Sequence, residues 1–310
     1  MLSLNLKQTK PEEPRQVGLG IRSWVGPSHM PVSDAELSEL AASHDIITIG
    51  MQADTVRREK YGNKTTFLRV AVVDAAPGSP LTWPSAAGEI RITGVPATRV
   101  AAVARVREVA AAAKGVPVSG FVLSDLEQLA AQEKATLREV LEELSAAGLE
   151  LVSEAPFDKL QDPRRSIEEV NIGGLALSRL TIHQLPSADT ASWLKKIVEL
   201  QHAVGVIRAF APLPRQVNPA VPTTGYDDVK RVALARIIVQ NIPSIQVDWA
   251  LYGPKLAQVA LTVGADDVDA VSADDDDSQG RRRAPLEEIR NNIRAASQEP
   301  VERNGRFEAK

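Results

Sequence analysis

Four histidines and no cysteine stand in this 310-residue chain, and those two counts decide much of the chemistry open to it. Without thiols there are no disulfides, no cysteine nucleophile, no thiolate zinc site and no cysteine-held iron–sulfur cluster. His29, His44, His183 and His202 do not stand three or four residues apart, so no local two-histidine metal motif exists. No resident metal is expected, although Asp and Glu are competent Mg²⁺ ligands.

The remaining candidates are polar residues at the ends of, or inside, apolar runs. His183 closes the run RLTIHQLP (179–186); it is either a general acid/base near neutral pH or a hydrogen-bonded structural histidine. Glu154 and Asp158 in SEAPFDKL (153–160) form a carboxylate pair suited to acid/base work or to holding Mg²⁺. The alternative is a helix start, with Pro156 in the first turn and Asp158 complementing the dipole. Arg69, Arg91 and Arg208 lie within apolar runs, where a charge must pair or reach solvent. They either make an anion-reading interior for a carboxylate or phosphate or snorkel outward beneath helices. The run Asp274–Asp277 followed by Arg281–Arg283 is a solvated charged loop.

These residues are set on an alternating pattern. Strands are expected at 65–73, 88–96, 117–123, 148–155, 176–185 and 205–213, with weaker ones at 244–252 and 266–273. Helical periodicity falls between them at 97–114, 124–147, 163–175, 188–203, 225–241 and 254–263, and again at 284–297. Upstream, VSDAELSELAASH with Ser33 as N-cap and DIITIGMQADTVRREKYG closed by Gly62 predict two further helices. Strands alternating with helices mean βα units on a parallel sheet, and this number of units fits a (β/α) barrel. No GxGxxG or GxxxxGK[ST] follows a strand, which removes the main support for nucleotide-binding open sheets. The organisation reads as a tail over 1–32, N-terminal helices over 33–64, the barrel over 65–283, and a C-terminal helix and tail over 284–310.

One connection breaks the pattern. DAAPGSPLTWPSAA (74–87) joins the first two strands, and Pro77, Pro80 and Pro84 keep it from being helical, whereas parallel crossovers are usually helical. The first crossover helix is therefore expected to be missing.

A net charge of −4 and 4% aromatic residues leave no basic footprint or stacking platform for nucleic acid. No apolar run approaches the ~20 residues of a membrane span, and MLSLNLKQTKPEEP is unlike a signal peptide. A cytoplasmic location with neither nucleic-acid nor membrane partners is the expectation.

Four stretches in order carry a family likeness: SHDIITIGMQADTVRREKYGNKTTFLRV (43–70), FVLSDLEQLAAQEKATLREVLEELSAAGLE (121–150), TTGYDDVKRVALARIIVQNIPSIQVDWALYGPKLAQVALTVGADDVDAV (223–271) and APLEEIRNNIRAASQEPVERNG (284–305). The chain resembles the radical S-adenosylmethionine (SAM) enzymes of the futalosine route to menaquinone, aminofutalosine synthase and cyclic dehypoxanthine futalosine synthase, with the deazaflavin (FO) synthases as close relatives. The resemblance implies a radical-SAM βα barrel over about 33–305. In that family the first strand leads into a CxxxCxxC loop holding a [4Fe–4S] cluster. Here the matching place is the Pro-rich connection, so loop and helix read as deleted together. The family's glycine-rich SAM contact after the second strand corresponds to RITGVP (91–96), where Gly94 stands beside Val95. The glycine-rich end of the fourth strand is replaced by SEAPFDKL. These departures imply that no cluster is held and put SAM binding in doubt. The resemblance also places Trp249, Tyr252, Lys255, Asp266 and Asp267 at the substrate-binding end, as a ring-plus-carboxylate pocket for a nucleoside-like molecule or as packing of a terminal βα unit.

The expected function is a non-radical barrel, a ligand-binding or accessory protein linked to menaquinone biosynthesis. The alternatives are acid/base lyase or hydrolase chemistry on a futalosine-like nucleoside through His183, Glu154 and Asp158, and a scaffold for a cluster-bearing relative or a second copy of itself. In the last case a partner, or the N-terminal helices, would cover the strand surface bared by the missing helix.

Overall fold

Eight parallel strands close on themselves because their two faces are both buried, one against a ring of helices and the other against the lumen. The computed structural model describes residues 34–185, 190–216, 223–276, 278, 280 and 284–310. The expected tail over 1–32, the Ser33 cap, His29, Asp277 and Arg281–Arg283 lie outside these. The described elements run α1 (Asp34–Ala42), α2 (Ile46–Tyr61), β1 (Lys64–Asp74), β2 (Glu89–Thr93), α3 (Arg99–Ala112), β3 (Val118–Val122), α4 (Leu123–Gln132), α5 (Leu137–Ala146), β4 (Leu151–Pro156), α6 (Pro163–Ile172), β5 (Ala176–Leu177), β6 (Leu180–Ile182), α7 (Thr190–Val204), β7 (Ala209–Pro214), α8 (Gly225–Ile238), β8 (Ser244–Asp248), α9 (Trp249–Thr262), β9 (Asp267–Ser272), α10 (Pro285–Ala295) and β10 (Glu299–Arg303). Neighbouring strands follow chain order from β1 to β9, and β9 pairs back on β1. β5 and β6 are one interrupted strand, both pairing β4. This is the (β/α) barrel expected from the alternation.

The pleat sorts the residues. On β2, Ile90 and Ile92 enter the apolar shell with Val106 and Val109 of α3, while Glu89 and Arg91 alternate with them and face the lumen. Helix starts are locally encoded. Thr136 and Glu139 form a reciprocal capping box on α5, Thr224 and Asp227 another on α8, and Asp162 with Pro163 opens α6.

The structure departs from the expected elements in three places. The single helix over 124–147 is two, α4 and α5, because Lys134 takes φ 55° and Thr136 restarts the helix. The strand over 244–252 ends at Asp248, whose carboxylate caps Leu251 N; Trp249–Tyr252 form a helical turn, broken at Gly253 (φ 72°) before Pro254. The segment after α10, read as tail, makes β10, which lies beside the first half of β1, on the edge that β2 takes further along.

The β1–β2 connection contains no helix. Its Ala87 and Trp83 pack with Ala71 and Ala273 on the outside of the barrel. Arg105 of α3 pins it by donating to Asp74 O (2.9 Å) and Ser79 O (3.2 Å). The N-terminal helices do not lie here: α2 packs on α8, and α1 on α7 and α8. The bared strand surface is thus covered by the shortened connection itself.

Candidate functional site

The lumen is filled with charge. Asp269 of β9 accepts from both forks of Arg91 (2.9 and 3.0 Å) and from Arg179. Arg91 also donates to Glu89 (2.8 Å), which takes a further bond from Ser119 (2.6 Å). At the strand starts, Arg303 of β10 forms a bidentate pair with Asp267 (2.7 and 2.6 Å), which also accepts from Gln246 (2.7 Å) and Thr66. At the strand ends, Arg215 bridges Asp248 (2.7 Å) and Glu154 (3.2 Å), and Arg179 reaches Glu154 (3.3 Å). Burial alone would push Asp269 up, but Arg179 and Arg91 hold it well below the usual carboxylate range. Glu154 is likewise held down, its burial outweighed by Arg215 and Arg179. Such a lumen is a lock of guanidinium–carboxylate pairs, in which Arg179 Nε and Arg215 Nη2 are buried without a hydrogen-bond partner among the described residues.

Above this lock a cavity of about 250 Å³ opens among the strand C-terminal ends, where barrel enzymes carry their sites. It is lined by Val122, Ser124, Asp125, Glu154, Pro156, Lys159, His183, Arg215 and Gln216. Phe121, in the left-handed region at φ 62°, turns the chain from β3 directly into α4 and so delivers Ser124 and Asp125 to the rim. His183 is fixed through its backbone. Asp158 accepts from His183 N (2.6 Å) and Gln184 N (2.9 Å), and His183 O accepts from Gln216 N (2.8 Å). Asp125 is pushed up by burial and by the Glu154 charge, against the opposing pull of Lys159, Ser124 and His183.

His183 and Glu154 therefore meet in one cavity. Asp158 does not line it; its carboxylate is spent on the turn that carries His183, and no helix begins there. The three arginines do not form a common interior. Arg91 enters the lumen with its forks occupied. Arg69 is on the outer face of β1, donating to Ser272 O (3.4 Å) and Ala273 O (2.8 Å) and pairing with Asp275, and Arg208, before β7, donates to Arg306 O (3.1 Å). The ring-plus-carboxylate grouping is also dispersed by strand direction. Trp249 and Tyr252 follow the end of β8, with Tyr252 donating to Pro214 O, and Lys255 is exposed. Asp266 and Asp267 stand at the start of β9, at the other end of the barrel. Asp266 is locked to Arg236 and Ile245 N, and Asp267 to Arg303. Gly94, at φ 99°, turns the chain out of β2. Asp125, Lys159 and Arg215 were missed. Asp125 and Arg215 each follow a strand end as His183 does, and that shared position was the available signal.

Residues 213–310 match the family model of the CofH/MqnC C-terminal region. Aminodeoxyfutalosine synthase of Thermus thermophilus is 29% identical over 182 residues, covering 50% of this chain and 49% of the relative. Cyclic dehypoxanthine futalosine synthase of Streptomyces coelicolor is 25% identical over 211 residues, covering 60% and 53%. Over these stretches the chain is similar to the futalosine synthases. It spans about half the length of the curated relatives it matches. Methylornithine synthase (PylB) superposes with a TM-score of 0.64 at 10% identity over 87% of this chain and 94% of that one. The hydrogenase maturase HydG gives 0.62 at 11% identity over 88% and 73%. These likenesses are of fold. Among the described residues no helix is long and apolar enough to cross a membrane, and no cluster of three or more His, Asp or Glu is arranged to hold a metal ion.

Proposed function

We propose that this chain is a small-molecule-binding barrel that works without an iron–sulfur cluster, descended from and linked to the futalosine route, with the mouth cavity as its ligand site. A four-iron cluster with an open iron site needs three thiolates. The 310 residues contain none, and the β1–β2 connection, where the resemblance puts the cluster loop, has neither cysteine nor helix. The residues present do not fit the cluster. The observation that carries the reading is the pairing of that helix-free connection with an intact, charge-lined cavity at the barrel mouth. Glu154 supports a changed ligand. It stands on β4, whose end is glycine-rich in the family that the chain resembles, and its carboxylate is tied to Arg215 and Arg179.

The test is a thermal-shift panel of SAM and futalosine-type nucleosides. A ligand at 100 times its dissociation constant adds about 2.7 kcal/mol. A nucleoside of the pathway is expected to stabilise the chain and SAM is not; strong stabilisation by SAM alone overturns the reading. A second reading, acid/base catalysis in the same cavity, is favoured by one observation. Asp125 is pushed up while Glu154 is held down, the divergence that separates an acid from a permanent anion. Turnover of a pathway intermediate whose pH–rate profile is lost in His183→Ala supports it.

A further inference from the structure

The base of the barrel carries its own closure. β10 and β2 lie end to end on the same edge of β1, with Leu68 paired to Arg303 and Val70 to Glu89. The junction is tight. A Cβ on Gly88 would stand 2.9 Å from Arg303 O, and one on Gly305 2.8 Å from Glu89 Oε2. The segment 304–310 runs back over this junction. Gly305 N donates to Gly88 O (3.0 Å), and Lys310 Nζ donates to Ala86 O and Ala87 O (both 3.2 Å). The segment thus holds the end of the helix-free connection, where β2 begins. It covers the buried Arg303–Asp267 pair and Glu89, and its Phe307 ring stacks on the Arg303 guanidinium at 4.1 Å.

What fastens the segment is polar. None of residues 304–310 joins the apolar core. Arg306 makes a two-pronged pair with Glu150 (2.7 and 2.8 Å), in which both side chains are 38% exposed. Exposed pairs are weak and are screened by salt. A segment with few buried apolar contacts opens well below the cost of global unfolding. The segment also contains an Asn–Gly step, whose two reacting groups are both occupied. Asn304 Oδ1 accepts from Arg306 N (2.9 Å) and Glu308 N (3.0 Å), and Asn304 Nδ2 donates to Glu308 Oε2 (2.8 Å). Gly305 N is spent on Gly88 O.

We propose that residues 304–310 form a latch that opens while the barrel stays folded, and that Asn304 is a modification site uncovered by that opening. In the open state Gly305 N attacks Asn304 Cγ. The N–Cγ bond forms, the Cγ–Nδ2 bond breaks and ammonia leaves; water then opens the cyclic imide to aspartate or isoaspartate. The new carboxylate has no N–H to give Glu308 and repels it, so the latch does not close as before. Release is therefore one-way. No part of this involves the mouth cavity, and the inference stands apart from the ligand-site reading.

The experiment is amide hydrogen exchange of the full chain, together with timed mass analysis of deamidation at Asn304 under mildly alkaline conditions. Gly305 N–H is expected to exchange faster than the amides of β1 and β9. Arg306→Ala, a surface change, is expected to raise both Gly305 exchange and Asn304 deamidation about two- to fivefold, the range that an exposed pair commands. Arg306→Lys keeps the charge without the fork and is expected to fall between. Added salt is expected to act on the wild type in the same direction and to have little effect on Arg306→Ala. The guanidinium-unfolded chain gives the rate of the unprotected step and is expected to deamidate faster than the folded chain. Gly305 exchange that only keeps pace with the β1 and β9 amides overturns the latch, since the segment then opens only with the barrel. Equal deamidation in folded and unfolded chain overturns it too, as do unchanged rates in Arg306→Ala.

Discussion

Asp269→Asn is the sharpest perturbation of the barrel. The carboxylate is 1% exposed and neutralises two guanidiniums at once, Arg91 through a bidentate contact and Arg179 through one fork. The amide keeps the shape and one acceptor but removes the charge. Arg91 then retains Glu89 at 2.7 Å and Arg179 retains Glu154 at 3.3 Å, so each guanidinium is left half-matched in a buried site. Breaking a buried pair on one side costs about 3–5 kcal/mol. For a chain of this size about 2 °C is lost per kcal/mol, or roughly 6–10 °C in Tm. Urea unfolding followed by circular dichroism gives the free energy, and calorimetry the Tm. Replacing the bidentate pair together, as Arg91→Met with Asp269→Leu, is expected to recover part of the loss, because no unmatched charge remains on that side. A cost within about 1 kcal/mol for Asp269→Asn contradicts the lock.

Four further outcomes follow from the same geometry. Asp269 and Glu154 titrate below their unfolded range, so their stabilisation is full above the unfolded value near pH 4 and is lost as pH falls through the folded one; Asp269→Asn should flatten the acid limb of a stability–pH curve. Asp125 is shifted the other way, so its contribution is present at low pH and lost as pH rises, and Asp125→Asn should gain stability over wild type at pH 8 relative to pH 4. Asp158→Ala orphans His183 N and Gln184 N; a loss of about 1–3 kcal/mol is expected by urea unfolding, together with weakened ligand binding from the displaced His183. Gly264→Ala places a Cβ 2.7 Å from Arg236 Cβ at φ 113°, and a cost above about 1 kcal/mol in the same assay is expected from the conformation alone.

The barrel was legible because its signals are local. Apolar runs and 3.6-residue periodicity mark the eight strands and the helices between them, and Pro77, Pro80 and Pro84 announce the missing crossover helix. What escaped depends on three-dimensional closure. β10 has no partner until β1 folds beside it, so PVER reads as tail. Whether Arg69, Arg91 and Arg208 face inward is set by register, and a one-residue shift reverses it. Asp266 and Asp267 are close in sequence to Trp249 and Tyr252 but separated by the length of a strand. The site was half legible. His183 and Glu154 stand at strand ends and were found for that reason; Asp125 and Arg215 share the position but were hidden, one inside a long apolar helix pattern and the other in a Pro-rich turn.

The most direct test of the central claim is anaerobic reconstitution of the purified chain with iron and sulfide, followed by metal analysis and by incubation with SAM and a strong reductant. Colourless protein, no retained iron and no 5′-deoxyadenosine are expected. A stoichiometric four-iron centre with 5′-deoxyadenosine release would contradict it.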